Sequence, residues 1–263
     1  MSPKIVTLTS DFGLTDAYAA EMKAVILNIS PAASIVDVSH EVEKFNVRQG
    51  AFVLASAAPY FSDGVIHVAV VDPGVGTQRR PIIVETRRSF FLGPDNGVLM
   101  LAAEDQGILH VREITSRRFM LPHVSHTFHG RDIFAPVAAH LANGVKSDEL
   151  GPIITDEVKP QFTMVTRSHD SVSGEVLHVD DFGNTITNIP ARDIAGFRGS
   201  MVHVTLPGRM HQMRILSTYG EAGLNEPLVL AGSHGYAEIT VNQGNAAAQF
   251  GSKAGDKVTI SRA

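Results

Sequence analysis

The pattern of apolar residues along this chain changes once, near Gly151. Before that residue, strand-like apolar runs alternate with segments of helical spacing, and Val65–Val71 is the clearest buried strand. Such alternation is typical of a mainly parallel sheet covered by helices. After that residue the apolar runs are short and β-type, with Gly, Asn and Asp between them, which is typical of a small antiparallel barrel.

We therefore predict the α/β fold class, with an N-terminal mainly parallel α/β sandwich domain over residues 1–160. A smaller C-terminal antiparallel β-barrel domain is predicted over residues 170–263, after a polar, proline-containing linker. Thr15 or Asp16 is the expected N-cap of the first helix. A helix over residues 132–141 contains Pro136, so we expect it either to start near this proline or to be kinked there.

Composition argues against several function classes. The net charge is -5 and the Lys and Arg residues are scattered, so we expect no nucleic-acid partner. The chain has no cysteine, which excludes disulfides, thiolate catalysis and cysteine-based metal sites. It starts without the pattern of a signal peptide and contains no run of eighteen apolar residues. We therefore expect a cytoplasmic protein that does not enter a membrane.

Two acidic residues come directly after predicted strands, where open α/β sheets bind their ligands. Asp11 follows the first strand, and its carboxylate either accepts hydrogen bonds from a sugar diol or caps the next helix. Asp72 ends a long apolar strand and needs a partner, since burying a bare carboxylate is costly. Arg79, seven residues later, either returns to pair with Asp72 or lies on the surface beside an ordinary turn.

A histidine, His129, precedes the helix predicted from about residue 132. The positive end of a helix dipole disfavours the imidazolium and attracts anions, so His129 is either a site residue or a structural one. His123 and His126 lie nearby, but their spacing matches no recognised ligand pattern and HExxH is absent. We therefore predict no metal.

Two polar turns follow apolar runs in the second domain, at residues 180–184 and 232–236. An aspartate, an asparagine and an exposed phenylalanine in the first turn are suited to gripping an amino acid and stacking on a base. The same residues are also those of ordinary β-turns.

Taken together and in this order, the motifs resemble one family. The strings that carry the resemblance, which span nearly the whole chain, are TLTSDFGLTDAYAAEMK, VVDPGVGTQRR, PDNGVL, TFHGRDIFAPVAAHL, VDDFGNTITNI and GSHGYAEITVNQGNAA. They are similar to those of the S-adenosyl-L-methionine hydrolases (adenosine-forming), which are related to the fluorinase and chlorinase. The resemblance implies an N-terminal α/β domain and a C-terminal β-barrel domain.

The resemblance also implies a reaction. S-adenosyl-L-methionine would be split to adenosine and L-methionine by SN2-like attack of water or hydroxide at ribose C5′, with no cofactor. The implied catalytic residues are Asp72, Arg79 and His129. Asp11 would bind the ribose hydroxyls.

For the second domain, the resemblance implies that Asp180 and Ser233 hold the methionine end of the substrate. Phe182 and Asn184 would lie against the adenosine. The doublet with Asp181 leaves two candidates for the acidic contact, and we favour Asp180. The family resemblance further implies a homotrimer with the substrate at the interface between subunits, and no partner beyond substrate and products.

Two departures from the halogenase pattern favour water over halide as the nucleophile. Halogenases carry an insertion between the motifs at Pro73 and Asp95, which here are only twenty-two positions apart. The fluorinase has Tyr-Ser where this chain has His129 and Gly130. The alternatives are a halogenase of the same fold, a non-catalytic adenosine- or S-adenosylmethionine-binding module, and a metal-dependent hydrolase.

Overall fold

The first apolar run of the chain, Ile5–Ser10, forms β1, an inner strand of a mixed sheet. The computed structural model describes residues 4–263, which divide into two units, the first ending at Lys159 and the second spanning Pro160–Ala263. The other strands of the first unit are β2 Ser34–Ser39, β3 Ile66–Val70, β4 Pro81–Thr86, β5 Phe90–Pro94, β6 Ile108–Glu113 and β7 Ile153–Ile154. Its helices are α1 Tyr18–Ile29, α2 Val47–Ala57, α3 Met100–Gln106 and α4 Ala135–Ala142.

The order of the first sheet is β2-β1-β3-β5-β4-β6-β7. The pairings from β2 through β1 and β3 to β5 are parallel, and those from β5 through β4 and β6 to β7 are antiparallel. The antiparallel half begins with the hairpin of β4 and β5. The α/β class is confirmed, and the carboxyl ends of β1, β2 and β3 meet at one edge of the sheet.

Helices cover both faces of this sheet. One core cluster joins α1 and α4 to β1, β3 and β5, and its largest fully buried members include Leu8, Met22, Leu92 and Phe134. α2 and α3 pack against each other, and α2 also contacts β1 and β2 while α3 contacts β4. Within residues 4–263, no helix is long and apolar enough to cross a membrane.

The first helix starts later than its sequence predicts. The N-cap position of α1 is Ala17, which makes no side-chain capping bond, so the prediction of Thr15 or Asp16 as the N-cap is wrong. Apolar periodicity places the body of a helix well and its first turn poorly, because the first backbone N–H groups lack helical partners whichever residue begins it.

Pro136 shapes the entry into α4. A π-helical turn, Gly130–Phe134, precedes the α-helix, and the proline occupies its first turn. Proline has no N–H to donate to the carbonyl of Asp132 four residues earlier. That carbonyl instead accepts the Leu121 N–H at 2.9 Å. The helix therefore starts next to the proline, which is one of the two expected outcomes.

The second unit is a barrel. Its strands are β8 Thr166–Arg167, β9 Ser171–Val179, β10 Thr185–Pro190, β11 Met201–Leu206, β12 Arg209–Ile215, β13 Pro227–Ala231, β14 Tyr236–Val241 and β15 Lys257–Arg262, and its helices are α5 Ala191–Ile194 and α6 Ala246–Phe250. The order is β10-β14-β13-β12-β11-β15-β9-β8, and pairing of β10 with β9 closes seven strands into a barrel. Its pairings are antiparallel apart from β12 with β13. The domain limits 1–160 and 170–263 stay a prediction.

Candidate active site

The chain reverses just beyond β3, in the segment that contains Asp72. The Thr77 N–H and hydroxyl both donate to the Gly74 carbonyl, at 3.2 and 2.7 Å. The Arg79 N–H in turn donates to the Thr77 hydroxyl at 3.3 Å. These bonds fold the loop back on itself, so that a residue seven positions later returns to the end of the strand.

Arg79 uses this return to form a buried ion pair with Asp72. Its Nε donates to Oδ1 at 3.1 Å and its Nη2 donates to Oδ2. The Asp72 and Arg79 side chains are only 5% and 7% exposed, and the guanidinium lies over the Phe134 ring, 5.6 Å from its centroid. Among residues 4–263, the buried Nη1 has no hydrogen-bond partner. An unpartnered buried donor is costly, and the same state recurs at Arg112 Nε.

The Arg79 guanidinium also influences the tautomer and the charge of His129. Arg79 Nη2 lies 3.0 Å from His129 Nδ1, and because a guanidinium can only donate, Nδ1 accepts and a neutral ring carries its proton on Nε2. Burial, and next the charge of Arg79, lower the pKa of His129 below its ordinary value of 6.5, outweighing the opposite effects of nearby carboxylates. His129 is therefore a neutral imidazole near pH 7.

Two local features stabilise the loops that carry this triad. Gly76 has a φ of 76°, and a Cβ there would lie 2.2 Å from the His126 carbonyl oxygen, so only glycine allows this approach. On the other loop, the Ser125 N–H and hydroxyl donate to Asp132 Oδ2 at 2.8 and 2.6 Å. His129 lies between these bonded residues, at the N-cap position of the π-helical turn.

Asp11 lies beyond the end of β1 and is 6% exposed. Its Oδ2 accepts the Phe45 N–H at 2.8 Å, and its carbonyl oxygen accepts a bond from Lys44 Nζ. It does not cap α1, which removes the structural alternative considered for it. Within the described chain, its Oδ1 accepts no hydrogen bond.

A cavity of about 230 Å³ brings three of the predicted residues together: Asp11, Asp72 and His129 all line it. Arg79 does not line this cavity, but its two hydrogen-bond partners, Asp72 and His129, do. A second cavity, of about 490 Å³, contacts Arg79 and His129 but not Asp72.

Sequence reasoning missed the aromatic wall of the first cavity. Phe12, Tyr18 and Phe128 line it and pack against one another, with ring centroids 5.2 to 5.9 Å apart. Two of these residues are direct chain neighbours of Asp11 and His129, and this adjacency was the available signal. Aromatic faces attract organic cations, so the wall is suited to a positively charged ligand.

In the second unit, Asp180 organises the turn between β9 and β10. Its Oδ1 accepts the Phe182 and Asn184 N–H groups at 3.0 and 2.8 Å, and its Oδ2 accepts Asn184 Nδ2 at 2.9 Å. Asn184 Oδ1 accepts a bond from the Thr240 hydroxyl. The turn is thus internally bonded, while Phe182 is 80% exposed and Asp181 is also exposed.

Ser233 lies in a different turn, between β13 and β14. The next residue, His234, places Nε2 3.2 Å from Glu238 Oε2, and the Tyr219 hydroxyl donates to Glu238 Oε1 at 2.6 Å. Burial, followed by the hydrogen bond to Glu238, raises the pKa of Tyr219. This partly buried network was not predicted, because Tyr219, His234 and Glu238 are spread over twenty positions and come from separate segments of ordinary β-sequence.

The residues described here contain no group of three or more His, Asp or Glu side chains placed to hold a metal ion. Of the neighbouring histidines, His126 lines the second cavity together with His129, and His123 lines neither cavity.

Comparison with known proteins shows the family of this chain. Residues 6–151 match the model of the SAM hydroxide adenosyltransferase N-terminal domain, and residues 174–259 match that of the C-terminal domain. The chain belongs to this family.

Individual relatives agree with the family model over almost the whole chain. A protein of Salinispora tropica named (R)-S-adenosyl-L-methionine hydrolase is 38% identical, with 97% of each chain covered. The crystal structure of an uncharacterized conserved protein from Thermotoga maritima superposes with a TM-score of 0.86 at 39% identity, covering 98% of this chain and 100% of the other. A fluorinase of Actinoplanes is 26% identical over 98% of both chains.

Proposed function

We propose that this protein is an enzyme that hydrolyses S-adenosyl-L-methionine to adenosine and L-methionine. The observation that carries the proposal is the buried Asp72–Arg79 ion pair bonded to His129, at the edge of an aromatic cavity that also holds Asp11. Family membership and the hydrolase names of relatives at 36–41% identity support it.

The reaction is an in-line displacement at ribose C5′. The oxygen of water bonds to C5′ as the C5′–sulfur bond breaks, and the sulfonium leaves as a neutral thioether. One positive charge is thereby lost from the substrate and one proton is released. The site's task is to position the water and exclude competing solvent rather than to activate the leaving group.

We assign the three residues different parts in that task. Both Asp72 oxygens accept from Arg79, so Asp72 compensates and orients the guanidinium. Arg79 keeps His129 in the tautomer with its proton on Nε2. Arg79 and His129, which both line the second cavity, then hold the water and stabilise its hydroxide character as it attacks. Such an effect is typically worth about 10²–10³ in rate for one well-placed donor.

The remaining residues bind the substrate. We assign the ribose hydroxyls to Asp11, whose Oδ1 is available for them. Phe182, exposed on its bonded turn, stacks on the adenine, with Asn184 against the adenosine as part of the same turn. Asp180 and Ser233 take the methionine end.

The test is a product analysis in water labelled with oxygen-18. We expect adenosine that carries the label at the 5′ oxygen, one methionine and one proton per turnover. Chloride-dependent formation of 5′-chloro-5′-deoxyadenosine faster than adenosine would point to the halogenase alternative. Binding of adenosine without any turnover would point to a non-catalytic module, and loss of activity on adding a chelator would point to a metal-dependent hydrolase.

Sulfur stereochemistry sharpens this assay. A sulfonium with three different substituents is chiral, and the curated hydrolases carry the (R) designation in their names. Because the displacement occurs at carbon, either epimer can react in principle, and selection must come from where the methyl group is accommodated. We therefore propose a preference for the (R) epimer, tested by turnover of each separated epimer.

We further propose a cytoplasmic homotrimer of two-domain subunits, with limits 1–160 and 170–263, in which each substrate site lies between subunits. Sedimentation gives the subunit number. Two inactive variants, Asp11→Ala and Asp180→Ala, are then mixed after reversible dissociation. Sites shared between subunits would regain up to about a quarter of wild-type activity, because one in four random pairings restores both residues. Sites confined to one subunit would regain none.

A further inference from the structure

Two loops at the edge of the first sheet are bonded to each other beside the cavity. One loop, residues 10–13, follows β1, and the other, residues 40–45, follows β2. The Gly13 N–H donates to the His40 carbonyl at 2.7 Å and the Val42 N–H donates to the Ser10 carbonyl at 3.3 Å. Further along, Phe45 and Lys44 bond the carboxylate and the carbonyl of Asp11, as described above. The position of Asp11 is therefore determined by the loop after β2.

A chain of side chains lies at the base of these loops. Ser10 Oγ is 2.7 Å from His40 Nδ1, and His40 Nε2 is 3.1 Å from Asp37 Oδ1. Asp37 reaches the surface, where its Oδ2 accepts a bond from Lys23 Nζ at 2.5 Å. A parallel register between β1 and β2, with an irregularity between Leu8 and Thr9, sets the two strand ends side by side.

This Ser–His–Asp chain resembles a hydrolase triad in composition, and burial excludes that role. Ser10 is 1% exposed and His40 is 3% exposed, so no substrate carbon can approach the hydroxyl. Ser10 is also absent from the lining of the cavity. A nucleophile must reach its substrate, so the hydrogen bonds among Ser10, His40 and Asp37 serve to hold the protein's own structure in place.

The donor and the acceptor of each hydrogen bond follow from Asp37, the last member of this series. The Asp37 carboxylate only accepts, so His40 Nε2 carries a proton and donates it. In the neutral ring Nδ1 then accepts, and Ser10 must donate to it. The Ser10 oxygen is left to accept the Phe12 N–H, which lies 3.3 Å away. One histidine thereby fixes the backbone on both sides of Asp11.

We propose that His40 is a positioning residue that, through Ser10, holds Asp11 where its carboxylate binds a vicinal ribose diol. This inference rests on the proposed function, since it assigns the diol to Asp11. It predicts that discrimination between nucleosides with and without the diol depends on a histidine that touches neither of them.

The chain offers a matched control in His67. This residue on β3 is fully buried, and its Nδ1 is 2.8 Å from the hydroxyl of Thr7 on β1, so it repeats the histidine–hydroxyl bond of the proposed pair. Neither His67 nor Thr7 lines the cavity. A purely structural effect of removing a buried histidine would appear equally in both sites.

The experiment measures dissociation constants of the full chain for adenosine and for 2′,3′-dideoxyadenosine, by calorimetry. The variants are His40→Leu, His40→Asn, Ser10→Ala and the control His67→Leu. Asparagine places an amide oxygen near the position of Nδ1, so it keeps the acceptor for Ser10. Ser10→Ala removes the same bond with little change in volume, which keeps the test open if His40→Leu does not fold.

We expect wild type to prefer adenosine by at least about tenfold, the size of one or two hydrogen bonds to a charged group. His40→Leu and Ser10→Ala should reduce this preference to within about threefold, with KM for S-adenosylmethionine raised and kcat nearly unchanged. His40→Asn should retain most of the preference, and His67→Leu all of it, even with a lowered melting temperature.

Different failures contradict different statements. A wild-type preference near one would overturn the assignment of the diol to Asp11, and with it this part of the proposed function. A clear wild-type preference that survives in both His40→Leu and Ser10→Ala would overturn the role of His40 alone. Equal loss of preference in His67→Leu would reduce the effect to general destabilisation and would equally overturn it.

Discussion

Asp72 and Asp180 both follow a long strand, and the protein holds them in opposite ways. Asp180 accepts three bonds from its own turn, two of them from backbone N–H groups that any sequence could supply. Asp72 accepts from a guanidinium seven residues away that is itself buried and bonded to a histidine. The first arrangement shapes a turn, whereas the second holds two buried charges and a partly exposed neutral base in fixed positions.

The difference separates a carboxylate that shapes a binding turn from one that compensates a buried charge. In the turn of Asp180 the neighbouring Asn184 and Thr240 are hydrogen-bonded within the turn and its strands. The Asp72 cluster leaves a buried arginine nitrogen unpartnered within the described residues. The two sites should therefore respond differently to substitution.

Asp72→Asn should remove the charge that compensates Arg79 and should lower kcat by about 10²–10³. The matched control is Asp95→Asn, because Asp95 is also a buried carboxylate beyond a strand end and pairs with Arg80 at 2.6 Å. Both variants should lose stability, measured by urea unfolding, but Asp95→Asn should keep kcat within about threefold of wild type. Equal losses of activity would remove the distinction between the two ion pairs.

Gly76→Ala should disturb the contact that joins the Asp72 loop to the His129 loop. The new Cβ would meet the His126 carbonyl and the φ is left-handed, so we expect a loss of about 1–3 kcal/mol in stability and about tenfold or more in kcat. Gly74→Ala lies in the same turn, where a Cβ would make ordinary contacts with the Arg79 and Thr77 side chains at 3.4 and 3.5 Å. Gly74→Ala should change neither stability nor kcat appreciably. A loss as large as that of Gly76→Ala would show that both measurements depend on the turn in general and not on the contact between Gly76 and His126.

The pH dependence of kcat/KM should report His129. Because its pKa lies below 6.5, the neutral ring persists through neutral pH, and activity should fall by about tenfold per unit only on the acid side of that lowered pKa. In His129→Asn, whose amide oxygen can accept from Arg79 at any pH, the remaining activity should lack this acid limb. If His129→Asn kept an acid limb at the same pH, that limb would belong to another titrating group.

The pH dependence of stability must be measured beside that of kcat/KM, because a second histidine, His67, also titrates in the folded protein. Burial, and then the charge of Arg88, lower its pKa to about 4. The unfolded chain therefore binds the proton more tightly, and stability is lost as pH falls from about 6.5 toward 4, by up to about 3 kcal/mol. His67→Leu should flatten this stability profile and leave the acid limb of kcat/KM in place.

Phe182→Ala should have the smallest effect. The side chain is exposed, so the melting temperature should not change, while KM should rise about fivefold if about 1 kcal/mol of stacking on the adenine is lost. Phe182→Tyr should restore it. An unchanged KM would leave the Asp180 turn as a structural feature only.

Local sequence patterns predicted much of the fold. Every strand of the first sheet that precedes a candidate site residue was visible as an apolar run, because buried parallel strands have few polar residues. The barrel was visible as a class through its short runs and turns. The start of α1 was not, because helix N-termini are marked by single capping residues, and Thr15 and Asp16 have the right chemistry without making the bond.

The fold class, the strand-end position of Asp11 and Asp72, and the family of the chain can all be read from the sequence. These depend on periodicity and on contiguous motifs. The tertiary structure alone decided that Arg79 faces both Asp72 and His129, that His129 accepts rather than donates at Nδ1, and that Ser10, His40 and Asp37 form one chain. Such relations join residues up to fifty positions apart through side-chain direction and strand register, which no local pattern encodes.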